Sequence, residues 1–298
     1  MLLIDKPRDS DTHTISDFAE LLCLVTVDRV CSRETIADQA RDIGEHTVTD
    51  VVLDDCFNQL AWRVQAYGSH YPFQLDSRGR ILSAHTTLSE PQKLYALLLL
   101  CANLPFVVRR DGTLTDTFER IALLALKAAW PLNGVTRAFG KTETEYVGAK
   151  WQRLNKLAED IGGTGLCNAN TFRSQDTGDG GIDLAAWHDL DTHEKRNIPS
   201  ALAQCACSRD SWSAKQTEIS EDRLKNSIHS THHWNQILFI PQSFRDNRGK
   251  WAVPGDIGQV ILFDRLRIVH QLRSEIDWTH IAPPPIFNSM LEERLGLV

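Results

Sequence analysis

The chain has 298 residues, 42% hydrophobic and 24% charged, with a formal net charge of −7. That length accommodates two domains, or one with a large extension, and the richest apolar run, Leu94 to Leu104, is too short to cross a bilayer as a helix. The charge is uneven: residues 1–105 carry 9 basic and 15 acidic side chains, while the remainder balances at −1, so the amino-terminal part suits a protein partner better than a phosphate backbone.

The opening MLLIDKPRDSD has no basic stretch followed by an apolar one, so no secretion signal is expected. Seven cysteines, an odd number with no CxxC spacing, fit free thiols and a cytoplasmic location better than a disulfide frame or a zinc site. Helical spacing starts at Ile15 in ISDFAELLCLVTV, with Ser16 or Asp17 as the expected cap. A second helix runs from Ser32 to a glycine stop at Gly44, and a third from Asp50. From Tyr71, YPFQLDSRGRILSAH reads as a hairpin turning at Ser-Arg-Gly. Ser89 opens another helix, with Pro91 in its first turn and an end at Pro105.

Beyond Pro105 the pattern changes. A strongly apolar helix starts at Thr115, a short strand covers Gly134 to Gly140, and an amphipathic helix from Glu143 ends in glycines. Then come GGIDLAAW and SALAQCACS as strands, a helix around Trp212 to Leu224, the strand NQILFIP from Asn235, and a helix around LFDRLRIVHQL from Leu262. This alternation predicts an α/β domain, residues 106–298, with a central mixed sheet flanked by helices, behind a mainly helical region, residues 1–105.

Two polar residues interrupt the apolar strands. Glycines 178, 180 and 181 bracket Asp179 and lead into Asp183; on the next strand Gln204 shares the face of Leu202. Buried polar groups cost free energy unless something satisfies them. A carboxylate beside an amide oxygen forms a hard, oxygen-rich site of the kind that Mg²⁺ prefers.

These residues resemble the PD-(D/E)XK nuclease superfamily, in its Mrr-like restriction-endonuclease branch. Phe118-Glu119 opens the apolar helix, GGID supplies Asp183, and AQCA supplies Gln204 in a Gln-x-Lys variant of the motif. The Trp and Lys after AQCA, and the F-I-P strand before DRLR, extend the resemblance over roughly Tyr71 to His270. It implies a restriction-endonuclease-like core and a metal-dependent DNA endonuclease of bacterial restriction or anti-phage defence. Glu119, Asp183, Gln204 and the carbonyl of Cys205 would hold Mg²⁺ or Mn²⁺. Lys141, Lys150, Arg153 and Arg173 would contact DNA phosphates. A helicase or ATPase partner from a defence operon, and a homo-oligomer, are compatible with it. The sequence departs from the pattern where the motif lysine should stand, at Ala206; Lys215, on the following helix, is the expected replacement.

Competing readings apply to the same residues. Glu119 reads also as a first-turn acid complementing its helix dipole, and Asp179 as a turn residue. Cys205 and Cys207 read as small core residues or, in a thiol enzyme, as nucleophiles without an evident histidine. HSTHHW from His229 reads as a solvated loop or strand entry or as metal ligands, Asp264 to Arg267 as an internal salt-bridged helix or a phosphate clamp, and Phe139 to Lys141 lacks the P-loop frame. The missing lysine also favours a catalytically weak scaffold that binds DNA or a partner without cutting.

Overall fold

The computed structural model describes residues 11–42, 48–104, 112–140, 144–173, 176, 178–273 and 276–292. In chain order the elements are α1 (Thr12–Val25), β1 (Val30–Ser32), α2 (Arg33–Asp42), α3 (Asp50–Tyr67), β2 (Phe73–Leu75), β3 (Ile81–Ala84), α4 (Glu90–Ala102) and α5 (Thr113–Ala129). There follow β4 (Val135–Ala138), α6 (Lys150–Asp160), β5 (Thr164–Gly165), β6 (Leu184–Trp187), β7 (Ser200–Cys205), α7 (Trp212–Lys215), α8 (Glu221–Leu224), β8 (Ile228–His229) and β9 (Asn235–Phe239). The last are β10 (Ile261–Phe263), α9 (Arg265–Gln271), α10 (Trp278–Ile281) and α11 (Pro285–Glu292). No helix among the described residues is long and apolar enough to cross a membrane.

The chain divides into two compact units. Unit 1 comprises Met1–Thr117, Pro241–Pro254 and Asp264–Val298; unit 2 comprises Phe118–Ile240 and Gly255–Phe263. The boundary expected near Pro105, and the helix stops expected at Gly44 and Pro105, lie outside the described residues.

Unit 1 carries the predicted hairpin, with Phe73 opposite Ala84. Its turn is held by the Asp76 carboxylate, which accepts the N–H groups of Arg80 at 2.6 Å and Ile81 at 2.9 Å. A third strand, β1, adds antiparallel to β3. Helix α4 starts where Ser89 predicts, and the Gln92 side chain accepts the Ser89 N–H at 2.9 Å. Helix α1 starts earlier than its spacing suggests. Its cap is Asp11, which accepts the Thr14 N–H at 2.8 Å, and not Ser16 or Asp17. Those two are buried.

Asp17 belongs to a buried ionic cluster. Arg63 Nη1 lies 2.7 Å from Asp17 and 2.8 Å from Glu20. Arg265 Nη2 lies 3.0 Å from Asp17, and its Nη1 3.5 Å from Glu20. Tyr71 and Tyr95 donate hydroxyls to Glu20 at 2.6 and 2.9 Å. All four charged side chains are essentially inaccessible to solvent. Burial opposes both guanidinium charges, but the two carboxylates outweigh it and hold the arginines above their ordinary pKa. The first two residues of DRLR are therefore internal: Asp264 caps α9 through the Arg267 N–H at 3.2 Å and pairs with Arg245 at 2.9 Å.

Unit 2 is α+β, with a central mixed five-stranded sheet flanked by helices, in the order β10-β9-β7-β6-β4. Strands β4, β6 and β7 are antiparallel neighbours, with Leu184 opposite Ala203. Strands β7, β9 and β10 run parallel. Phe139, Ala185, Trp187 and Leu202 pack with Leu154 and Leu157 of α6 and with Trp234. Each such side chain, taken out of water, contributes about 1.5–3 kcal/mol. Strand β6 is buried at every position, so it reads as an unbroken apolar run instead of an alternating one.

Further boundaries differ from expectation. Helix α6 begins at Lys150, not Glu143, because Gly148 at φ 98° takes a conformation that no helix continues. The helix expected around Trp212 to Leu224 is three short turns, the middle one 3₁₀. The helix expected from Leu262 starts at Arg265, since Leu262 and Phe263 belong to the edge strand β10.

Candidate active site

Asp183 stands just before β6, where the glycine turn delivers the chain to the sheet. Its N–H donates to the Ala203 carbonyl at 2.9 Å, and its own carbonyl accepts from Phe139 at 2.7 Å and Gly140 at 3.1 Å. The residue is thus held by strands on both sides. Its Oδ2 accepts the Cys205 N–H at 2.6 Å, which orients the carboxylate and leaves Oδ1 on the side of Gly140. A β-carbon added at Gly140 would lie 3.1 Å from Glu119 Oε2 and 3.9 Å from Asp183 Oδ1. The two carboxylates that the sequence singles out, on α5 and just before β6, therefore both approach Gly140, where the missing side chain leaves room.

Burial raises Asp183 from 3.8 to about 7. The Cys205 hydrogen bond and the Lys215 ammonium pull it down, while Asp179 and Glu218 push it up. Glu119 lies beyond the first turn of α5, where Asp116 is the acidic residue, so its place is not explained by the helix dipole. Gln204 continues the register opposite Asp183, is 3% exposed, and its Oε1 is buried without a hydrogen-bond partner among the described residues. Such an atom costs ~1–3 kcal/mol unless a water, a ligand or an ion completes it.

Lys215 ends α7, is partly exposed and makes no hydrogen bond or ion pair among the described residues. Its charge is felt at both Asp183 and Cys205. Ala206, where the motif lysine would stand, is buried. The Cys205 thiol is pushed well above its ordinary pKa by burial, then by the charges of Asp183 and Glu119. That opposes formation of a nucleophilic thiolate. Cys207 is buried. Asp179 accepts the Gly181 N–H at 2.8 Å, which is the turn role, and it adds negative charge near Asp183.

Two residues were not singled out from the sequence. One is Gly140. The other is Glu218, whose Cβ lies 2.7 Å from where a Gly181 β-carbon would be. Gly181 sits at φ 86°, and its missing side chain lets that third carboxylate approach. Among the described residues no three His, Cys, Asp or Glu side chains form a group that could hold a metal ion; the donors here are two carboxylates and an amide oxygen. The histidines of HSTHHW are engaged locally, His232 with Ser200 and Ser230, and His233 with Glu221 at 2.6 Å.

Of the basic residues expected at a phosphate backbone, Lys141 lies outside the described residues. Lys150, Arg153 and Arg173 come together around one pocket. Comparison with protein-family models, curated proteins and solved structures finds no match for this chain.

Proposed function

We propose that unit 2 is a metal-dependent deoxyribonuclease with a restriction-endonuclease-like core, serving bacterial restriction or anti-phage defence. The observation that carries this reading is the paired approach of Glu119 and Asp183 to the open space at Gly140. The unpartnered Gln204 Oε1, opposite Asp183 in register, supports it. The order of apolar helix, Asp-bearing strand and Gln-bearing strand is the one that the resemblance implies.

The donor set suits a hard divalent cation: carboxylate oxygens, and an amide oxygen without a partner among the described residues. Glu119, Asp183, Gln204 and the Cys205 carbonyl would hold Mg²⁺ or Mn²⁺. Such an ion, when bound, stabilises charge on a phosphate and lowers the pKa of water. The chain's own residues do the rest. The Cys205 N–H fixes the Asp183 carboxylate, which must be ionised to act. The Lys215 ammonium neutralises negative charge developing on the phosphate. The apolar strands around them exclude bulk water and strengthen each of these interactions.

Ala206 favours a second reading, a DNA-binding or partner-docking scaffold with weak or no catalysis. Supercoiled and linear DNA, incubated with Mg²⁺, Mn²⁺ or EDTA, separates the two. The nuclease reading expects metal-dependent cutting that Asp183→Ala abolishes and Lys215→Ala reduces. Binding that survives Asp183→Ala, with no cutting by the wild type under any metal, would establish the scaffold instead.

A further inference from the structure

Lys150, Arg153 and Arg173 line a pocket of about 180 Å³ at the start of α6, together with Trp151, Phe172 and Asp176. Three cations against one carboxylate make it locally basic in a chain of net charge −7. Lys150 Nζ lies 3.0 Å from Asp176 Oδ2 and 4.6 Å from the centre of the Phe172 ring. Arg153 is anchored on the far side: its Nη2 donates to the Phe139 carbonyl at 2.6 Å and more weakly to that of Gly140 at 3.4 Å. Its Nε is buried without a partner among the described residues. Phe172 and Trp151 are partly buried against the hydrophobic core beneath.

The pocket adjoins the carboxylate pair at two points. Arg153 grips Gly140, the residue that separates Glu119 from Asp183. Lys150 Cε lies 3.8 Å from where a β-carbon on Gly180 would be, in the turn that delivers Asp183. A phosphodiester chain reaching the carboxylates would have its neighbouring unit here. A pocket of this size, open to solvent on one side, suits a single phosphate or a single base.

We propose that this pocket holds one unpaired nucleotide of a DNA strand, its phosphate on Lys150, Arg153 and Arg173 and its base against Phe172. The inference rests on the nuclease reading for its substrate, and it makes single-stranded DNA, or a single-stranded end, the preferred ligand. Stacking on an aromatic ring recognises any base through its face, and a base becomes available for it only when its strand is unpaired. In the absence of ligand Lys150 pairs with Asp176 and lies over the Phe172 ring; an incoming phosphate displaces Asp176 and draws the ammonium off the ring face, which the base then takes.

The test is fluorescence anisotropy of the full chain carrying Asp183→Asn, in EDTA, with a labelled single-stranded oligonucleotide and its duplex. The single strand is expected to bind about tenfold more tightly than the duplex. Phe172→Leu, which keeps an apolar side chain on the core, should remove most of that preference. Arg173→Gln, at an exposed position without a packing role, should weaken binding and lower its salt dependence. Equal binding of both probes, no binding of either, or a preference untouched by Phe172→Leu would overturn the proposal. Binding needs no cleavage, so the two readings fail separately. Pocket-dependent binding without cutting by the wild type removes the nuclease and leaves the pocket. Cutting that is indifferent to Phe172 and strandedness does the reverse.

Discussion

Asp183→Asn should make the metal-free protein more stable in alkali and change it far less in acid. The wild-type carboxyl titrates at about 7 instead of 3.8, chiefly because burial disfavours its charge. Between those two values the folded chain holds a proton that the unfolded chain has released. The stability linked to that proton is complete below about pH 4 and is lost as the pH rises through 7. At ~1.4 kcal/mol per pKa unit the loss approaches about 4 kcal/mol above pH 7. Asparagine has no charge to desolvate, and its carbonyl oxygen can still accept the Cys205 N–H. Urea unfolding in EDTA, followed by tryptophan fluorescence, should show the gap between variant and wild type widening by about 3 kcal/mol from pH 5 to pH 8.5. Millimolar Mg²⁺ at pH 8.5 should then stabilise the wild type and leave the variant almost unmoved. A gap that is the same at both pH values would refute the reasoning, because it would mean that the ionised carboxylate is solvated in the folded chain.

Three further changes probe other parts of the molecule. Arg63→Met removes one of the guanidinium groups that Asp17 and Glu20 share and should destabilise the protein by about 3–5 kcal/mol; a melting temperature close to wild type would show that Arg265 and the tyrosines suffice. Gly140→Ala places a methyl group 3.1 Å from Glu119 Oε2 and should lower metal-dependent cleavage about tenfold or more without a comparable loss of stability; unchanged cleavage would place the chemistry elsewhere. Cys205→Ala keeps the backbone carbonyl and should keep cleavage, since its thiol is held protonated. Loss of activity in that variant, with metal dependence absent, would bring back the thiol enzyme.

What could be read from the sequence follows from how local each feature is. The helices α3 and α4 and the hairpin were legible because spacing, caps and turn residues lie within a few positions of one another. Asp183 and Gln204 were legible because a carboxylate and an amide are conspicuous in apolar strands. Gly140 was not: its value lies in the approach of Glu119 and Asp183, each more than twenty positions away, that no neighbouring residue announces. Glu218 was hidden for the same reason, since its approach depends on a side chain that Gly181 lacks. Asp17 was misread as a cap because an acid near a helix start is usually one; here guanidinium groups from Arg63 and Arg265, distant in the chain, draw it inside. The start of α6 was set too early because the amphipathic pattern does not reveal the left-handed backbone at Gly148.

The reach of Arg265 back to α1 also bears on how the chain is made. A ribosome delivers Asp17 and Glu20 among the first residues, and Arg63 soon after, but the second guanidinium arrives only when most of the chain has been translated. By then β4, β6, β7 and β9 have already emerged and can pair. Unit 1 is thus begun first and closed last. Any product cut short before position 265 keeps two carboxylates with one counter-ion in what should be a dry interior. Such a product would lack the second counter-ion there, so this part of unit 1 can close only once position 265 has been made.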